Sequence, residues 1–564
     1  LPAFLLVVAA MGIASCQEVP PAPQPADLVI RSAKIATIDT QNPRAQALAV
    51  RGDRIVAVGI DSEIEPFIED GKTLVIDAGG RFVVPGFNDA HNHFRGLDLD
   101  YVDLRYVADP AEVARRVEAR VDGAKSGELI RGGRWDHELF PDSRWPTKEL
   151  LDPVSPDNPV VLSRVDGHSV LVNSYVLRQS GITRDTPEPP GGQIVRDPVT
   201  GDPTGIFKEA ARRLLDTSGV EVEKTPEEEE ARRLESWKKA FEMASRLGVT
   251  SLQLAGSDLE VYEMFDLFRT QGRLTLRVSL NGELPENEED LNQYMKMIDR
   301  YPREDDWIRF GYLKGYIDGT LSSATALLFE PFTDEPDKTG LPQMSYEELE
   351  QRVVAADRRG FQIGIHAIGD RANHWVLNAY EKAIEVNPPR ERRHRIEHAS
   401  ILRLDDIPRF AELDVIASTQ AVFVSTDNFY AEKRLGRERS KGVYAWRRLL
   451  DEGAHVAFST DYPVEPLDPR EGLYAAVTRK NRKGMPESGW FPDQRLELEE
   501  AIRLYTLEPA YAEFMEDRKG MLRAGYLADI VIFDRDLTNI PPEEILSAQV
   551  DYTIVGGRIV FQSK

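Results

Sequence analysis

The residues best suited to chemistry are five polar ones that stand at or just after the ends of short apolar runs. His91 and His93 close the stretch Val84-Pro85-Gly86-Phe87-Asn88-Asp89-Ala90-His91-Asn92-His93. Two residues spaced i, i+2 in extended backbone project to the same side, so both imidazoles reach one ion. Taken alone, a His-x-His pair is equally an ordinary solvated pair. His366 ends the run Ile363-Gly364-Ile365, His398 ends Arg395-Ile396-Glu397, and Asp461 follows Val456-Ala457-Phe458-Ser459-Thr460. Polar residues at so many run ends would need a coincidence at each one. Four imidazoles and a carboxylate suit one or two divalent metal ions of borderline softness, Zn2+ foremost, with positions left for water and substrate. An ion of that kind lowers the pKa of water towards about 7 and polarises a carbonyl. Asp461, close to that water, would take its proton and later return it to a leaving group, so one carboxylate would serve both steps.

These side chains converge only if the runs that carry them share a sheet. Eight apolar runs, at 82–87, 250–254, 276–280, 308–316, 362–366, 394–398, 415–419 and 456–460, alternate with long helical patterns. That alternation predicts an α/β fold with a parallel sheet covered by helices. Eight such units close a (β/α)8 TIM-like barrel whose active site lies at the C-terminal ends of its strands. The barrel is expected over 82–518, interrupted by an insertion at 97–245, too long for one connection. The insertion carries strand signals at 129–131 and 159–162, then a charged helix over 227–247. Thr225 and Glu228 form a capping box for that helix, with Pro226 at its first position. The acidic run Glu227-Glu228-Glu229-Glu230 is then a solvated helix N-terminus favoured by the macrodipole. Short strand-like segments at 27–30, 45–50 and 55–59 have counterparts at 528–533 and 552–555. Neither end has enough strands for a sheet of its own, so 27–81 and 519–564 are expected to pair into one small β-domain.

Among 564 residues, 41% are hydrophobic and 29% charged, the composition of a globular protein able to bury a large core. A formal charge of -25 opposes broad attraction to nucleic acid or anionic lipid. The one cysteine, Cys16, excludes an intrachain disulfide framework and any multi-cysteine metal site. It follows the apolar residues 5–10 and Ile13-Ala14-Ser15, and precedes the Pro/Ala/Gln-rich residues 19–25. This pattern reads as a lipoprotein-type signal segment, 1–16, and a linker, 17–26. Cys16 would then be lipidated and the chain held at the cell envelope, facing the periplasm or exterior.

With these stretches together, the sequence resembles the amidohydrolase superfamily, in particular its branch of N-substituted formamide deformylases and related N-acyl amide hydrolases. The resemblance is carried by 85–93, 159–173, 314–321, 366–373, 395–398, 459–463 and 525–530. It implies a composite β-sandwich built from the two chain ends, in agreement with the pairing above. It implies a metal-dependent hydrolase of a linear amide C–N bond, of an N-formyl or N-acyl amine or amino acid. The family often bridges two metals with a carbamylated lysine on its fourth strand, which points to Lys314; the alternative is an ordinary lysine paired with Asp318 or a substrate carboxylate. The resemblance also places Trp135 and His168 near the substrate, the first as an apolar wall and the second as a donor to the carbonyl oxygen. Ordinary packing explains both equally well. Glu209 offers a further carboxylate, but from within the insertion.

Two rival readings stay open: a cyclic amidase or deaminase on the same scaffold, and a non-catalytic lipid-anchored binding protein. The expected partners are a small-molecule amide, a membrane reached only through the lipid anchor, and no nucleic acid; a homodimer is compatible with the sequence. Lipidation of Cys16 is testable by mass spectrometry of protein expressed from the complete precursor. A diacylated Cys16 in the membrane fraction is the expected result, and full-length protein free in the cytosol with an unmodified thiol would refute it.

Overall fold

Residues that enter a parallel sheet are buried on both faces, which is why the apolar runs are nearly continuous rather than alternating. The structure, a computed structural model, describes residues 23–564 apart from 165–168, 190–191, 221–224, 323 and 429. Eight parallel strands form one sheet: β1 (Phe87–Asn92), β2 (Val249–Leu254), β3 (Arg277–Glu283), β4 (Ile308–Tyr316), β5 (Ile363–Ala367), β6 (Arg395–His398), β7 (Ile416–Gln420) and β8 (Val456–Ser459). They neighbour one another in sequential order from β1 to β8. The first and last strands are tied just beyond their C-terminal ends, where Asp461 N–H donates to the His91 carbonyl (2.9 Å) and His93 N–H to that of Tyr462 (2.7 Å). The result is a nearly closed TIM-like barrel. Its closure falls at the residues with chemical potential.

The run at 82–87 needs correcting as the first barrel strand, because it serves two sheets. Phe82–Pro85 pairs antiparallel with Ile530–Phe533, with Val84 opposite Val531, and only after Gly86 does the chain enter the barrel as β1. Gly86 is the switching point. A Cβ there would fall 2.2 Å from Thr250 Oγ1 on β2. Hydrophobicity cannot mark this change, since the run is apolar on both sides of it.

Strands from the two chain ends share one sheet. It runs in the order Arg558–Gln562, Val550–Val555, Ile530–Phe533, Phe82–Pro85, Lys34–Ala36, Arg44–Ala45. A four-stranded sheet of Arg54–Gly59, Ala47–Arg51, Leu28–Arg31 and Leu74–Asp77 lies against it through Ile30, Leu48, Val50, Val83, Ile530 and Ile554. A buried ion pair joins these sheets to the barrel. Arg277, opening β3, meets Asp529 with Nε–Oδ2 at 2.7 Å and Nη2–Oδ1 at 2.9 Å, while Asp529 also accepts the Gly556 N–H at 2.9 Å.

The insertion folds as a unit, Gly96–Ala240, separate from the unit that runs to Arg95 and resumes at Phe241–Lys564. It has a six-stranded sheet in the order Gly192–Arg196, Pro203–Glu209, Ser169–Val172, Val160–Arg164, Ile130–Trp135, Val102–Asp103. Only two of these strands are evident from sequence. The others are short or open on glycine or proline, residues depleted from strands. The helix Pro226–Arg246 carries the expected capping box, with Thr225 N–H donating to Glu228 Oε2 (2.8 Å) and Glu228 N–H to Thr225 Oγ1 (3.2 Å). No helix among the described residues is long and apolar enough to cross a membrane.

Breaking the Arg277–Asp529 pair from one side strands a buried guanidinium. Asp529→Ala should therefore lower unfolding free energy by about 3–5 kcal/mol in a denaturant titration. A change below about 1 kcal/mol, the range of exposed pairs, would show that the link contributes little.

Candidate metal centre

The centre is built upward from a cation buried inside the barrel. Arg395 on β6 is wholly buried, with its guanidinium over the Tyr312 ring at 4.4 Å. Its Nη1 donates to Gln253 Oε1 (2.5 Å), and its Nη2 to the Ala90 carbonyl (2.6 Å) and Ser418 Oγ (2.9 Å). Two residues along β6, on the same face, Glu397 places Oε1 2.8 Å from Arg395 Nε and Oε2 2.5 Å from His91 Nδ1. A carboxylate beside arginine accepts, so His91 Nδ1 carries the proton and Nε2 keeps its lone pair.

That free nitrogen points to a cluster. His91 Nε2 lies 3.5 Å and His93 Nε2 3.3 Å from Asp461 Oδ1, and one ligand atom from each of the three falls within 4.8 Å of the others. Asp461 Oδ1 has no hydrogen-bond partner among the described residues. His398 is locked in the same manner as His91: its Nδ1 meets Gln420 Oε1 at 2.8 Å, and Gln420 donates to Ser459 Oγ at 2.8 Å. His366 is turned the other way, with Nε2 3.2 Å from the Gly319 carbonyl, which leaves Nδ1 available. Ring centres are 4.9 Å apart for His91 and His398, and 4.4 Å for His366 and His398. Lys314 Nζ sits 3.3 Å from His91 Nε2 and 4.9 Å from the centre of the Tyr316 ring.

Burial sets the protonation states. It pushes His91 and His398 well below the ordinary imidazole value, and His366 down to about 3 with Lys314 contributing. Neutral imidazoles are what a metal ion requires. Burial also lowers Lys314 to about 8, against the pull of Glu397 and Asp461. The backbone is strained at the same places: His398 (φ 75°), Ala399 (φ 43°) and Asp461 (φ 57°) are all left-handed. Fixed tautomers, neutral rings and an unpartnered buried carboxylate oxygen fit a divalent ion.

Thus the structure brings together His91, His93, Lys314, His366, His398 and Asp461. Lys314 is not paired with Asp318. Among the described residues no carboxylate lies within 4.0 Å of its amine, and Asp318 instead accepts the backbone N–H groups of Ile368 (3.0 Å), Gly369 (2.8 Å) and Leu327 (2.8 Å). Trp135 is buried in the insertion's own core, donating its indole N–H to the Leu162 carbonyl at 2.9 Å. His168 and Cys16 lie outside the described residues, as does the Glu209 side chain. The remaining histidines have other partners: His394 faces Asp357, His374 faces Asp406, His455 faces Glu508, and His137 packs on Trp145.

Four supporting residues escape a reading of the sequence alone: Glu397, Gln420, Asp318 and Asp89. The last, two residues before His91, accepts the N–H groups of His91 and Thr460, each at 3.2 Å, and the Thr460 hydroxyl. Burial pushes Asp89 up to about 6. The available signal was the charge of Arg395 and Glu397 within a strand otherwise destined for burial.

A family model described as Amidohydrolase family matches residues 74–561. "Protein LONG AFTER FAR-RED 3" of Arabidopsis thaliana is 34% identical over 96% of this chain and 93% of its own length. "N-substituted formamide deformylase" of Arthrobacter pascens is 30% identical over 95% and 98%. Among solved structures, an uncharacterized metal-dependent hydrolase from Pyrococcus horikoshii OT3 is 26% identical, covering 91% of this chain and 99% of that one at a TM-score of 0.66.

Glu397→Gln removes the anionic acceptor of His91 Nδ1 and offers it an amide in either orientation. Metal affinity, measured by competition with a chelator, should weaken by roughly 10- to 100-fold. Unchanged affinity in a folded variant would mean that Glu397 does not set the His91 tautomer.

Proposed function

The chain belongs to the amidohydrolase family and is a metal-dependent hydrolase, and on that premise we propose that it cleaves a linear amide at a Zn2+ pair. The substrate class is an N-formyl or N-acyl amine, and Lys314, as its carbamate, would hold both ions. The observation that carries the dinuclear reading is the position of Lys314: wholly buried, 3.3 Å from His91 Nε2, in a cluster of four imidazoles and without a carboxylate partner among the described residues. Carbamylation turns that cation into an anion with two oxygens, which suits two ions better than an ammonium does. The similarity to an N-substituted formamide deformylase, 30% identical over nearly the full length of both chains, supports the linear amide.

His91 and His93 would hold one ion and His366 and His398 the other, with Asp461 reaching the first. When bound, divalent ions there would supply Lewis acidity towards water and the amide carbonyl. The Asp461 carboxylate would accept the water's proton and return it to the departing nitrogen. Asp89 and Thr460 hold the turn that aims it. Phe423 stacks on His398 with ring centres 6.5 Å apart. Envelope anchoring through Cys16 is proposed on the residues around it alone.

The test is a panel of N-alkyl formamides, N-acyl amines, hydantoins and aminopurines with zinc-loaded protein. Formate or carboxylate release from the linear amides is expected; turnover confined to cyclic amides or aminopurines would overturn the reading. Lys314→Ala should lower metal stoichiometry and activity together, and a short carboxylic acid in the buffer should partly restore both. Full activity at one metal per chain in the wild type would rule out the bridge.

A further inference from the structure

Beside the same centre stands a carboxylate outside the His91, His93 and Asp461 cluster. Glu283 ends β3 and is paired in register with Lys314 on β4. Paired residues on neighbouring strands leave the same face of a sheet, and for Lys314 that face is the barrel interior. Tyr316, two residues beyond Lys314, shares it. Glu283 is open to solvent, yet the surrounding protein raises its pKa while the charges of Lys314 and His93 draw it down.

The position of the carboxylate is prepared. Gly256, just after β2 with φ 79°, leaves space that a side chain would fill, since a Cβ there would lie 2.6 Å from Glu283 Oε1. The backbone beneath is fixed, with Glu283 N–H donating to Tyr294 Oη (3.1 Å) and Leu284 N–H to the Lys314 carbonyl (2.6 Å). Despite this setting, no lysine, arginine or histidine lies within 4.0 Å of the carboxylate among the described residues. A carboxylate at the mouth of a catalytic barrel, with no lysine, arginine or histidine close enough to pair with it among the described residues, is complementary to a positive ligand and repels a negative one.

We propose that Glu283 is a specificity-determining residue that selects substrates bearing an ammonium or similar cation beyond the scissile bond and disfavours those bearing a carboxylate there. Of the substrates compatible with the sequence, this favours acylated diamines and related bases over N-acyl amino acids. The proposal rests on the linear-amide reading only in naming the bond that is cut.

Three matched probes test it: N-(4-aminobutyl)formamide, N-butylformamide and 4-formamidobutanoate, offered to metal-loaded wild type, Glu283→Gln and Glu283→Lys at low ionic strength. Affinity is read as KM where a probe is turned over and as Kd by calorimetry where it is only bound. The wild type should prefer the cationic over the neutral probe by about tenfold, and that ratio should shrink as salt is added. It should approach one in Glu283→Gln and invert towards the anionic probe in Glu283→Lys, with metal content unchanged. The expected order without hydrolysis of any probe would retain Glu283 and remove the amide reading. Hydrolysis without charge preference would do the reverse. A uniform loss for all three probes in Glu283→Gln, or no binding of the cationic probe by the wild type at millimolar concentration, would overturn the proposal.

Discussion

A guanidinium enclosed in a barrel is tolerable only when every nearby group compensates it, and Arg395 imposes that condition here. Gln253, the Ala90 carbonyl, Ser418 and the Tyr312 face satisfy it from four other strands, and Glu397 supplies the countercharge. Because Glu397 is also held by His91 Nδ1, the packing of the barrel interior fixes a tautomer at its mouth. A charge that would be costly in an apolar core thereby becomes the foundation of a metal centre. The same feature makes the interior intolerant: losing any member of the chain from Arg395 to His91 leaves a buried polar group unsatisfied.

Above this layer the candidate ligands depend on backbone that regular strands do not supply. Side chains alternate along β6, so if Arg395 and Glu397 face inward, His398 by rule faces outward. Its φ of 75° breaks the alternation and returns the ring to the centre. Asp461 is aimed by a similar left-handed turn, anchored through its N–H to the His91 carbonyl and through Thr460 to Asp89. Barrel closure and ligand placement are therefore one event. The two small sheets contribute at a distance, feeding β1 into the barrel through Gly86 and gripping β3 through Arg277 and Asp529.

Much of this is legible in the sequence, for a physical reason. Strands of a parallel barrel are apolar on both faces, so a histidine or aspartate at the end of one stands out, and the five residues from His91 to Asp461 can be found from that contrast. Lys314 required the family resemblance, since a lysine inside a buried run has several explanations. Glu397 and Gln420 stayed hidden because their roles exist only across strands. The sheet change at Gly86 was illegible because both sides of it are hydrophobic. The insertion's sheet was mostly invisible because its other strands are as short as Ser169–Val172 or open on glycine or proline, as Gly192–Arg196 and Pro203–Glu209 do, and so carry little pattern.

The most direct test of the centre is a crystal structure of zinc-loaded wild-type protein, with anomalous scattering recorded at the metal edge. Two peaks are expected, one contacted by His91 Nε2 and His93 Nε2 and the other by His366 Nδ1 and His398 Nε2. Electron density at Lys314 should continue past the amine between them, and the Glu397 to His91 Nδ1 bond should be intact. A single peak with Lys314 ending at its amine, or His91 bound through Nδ1 with Glu397 displaced, would contradict the coupling of the buried Arg395 to the metal site.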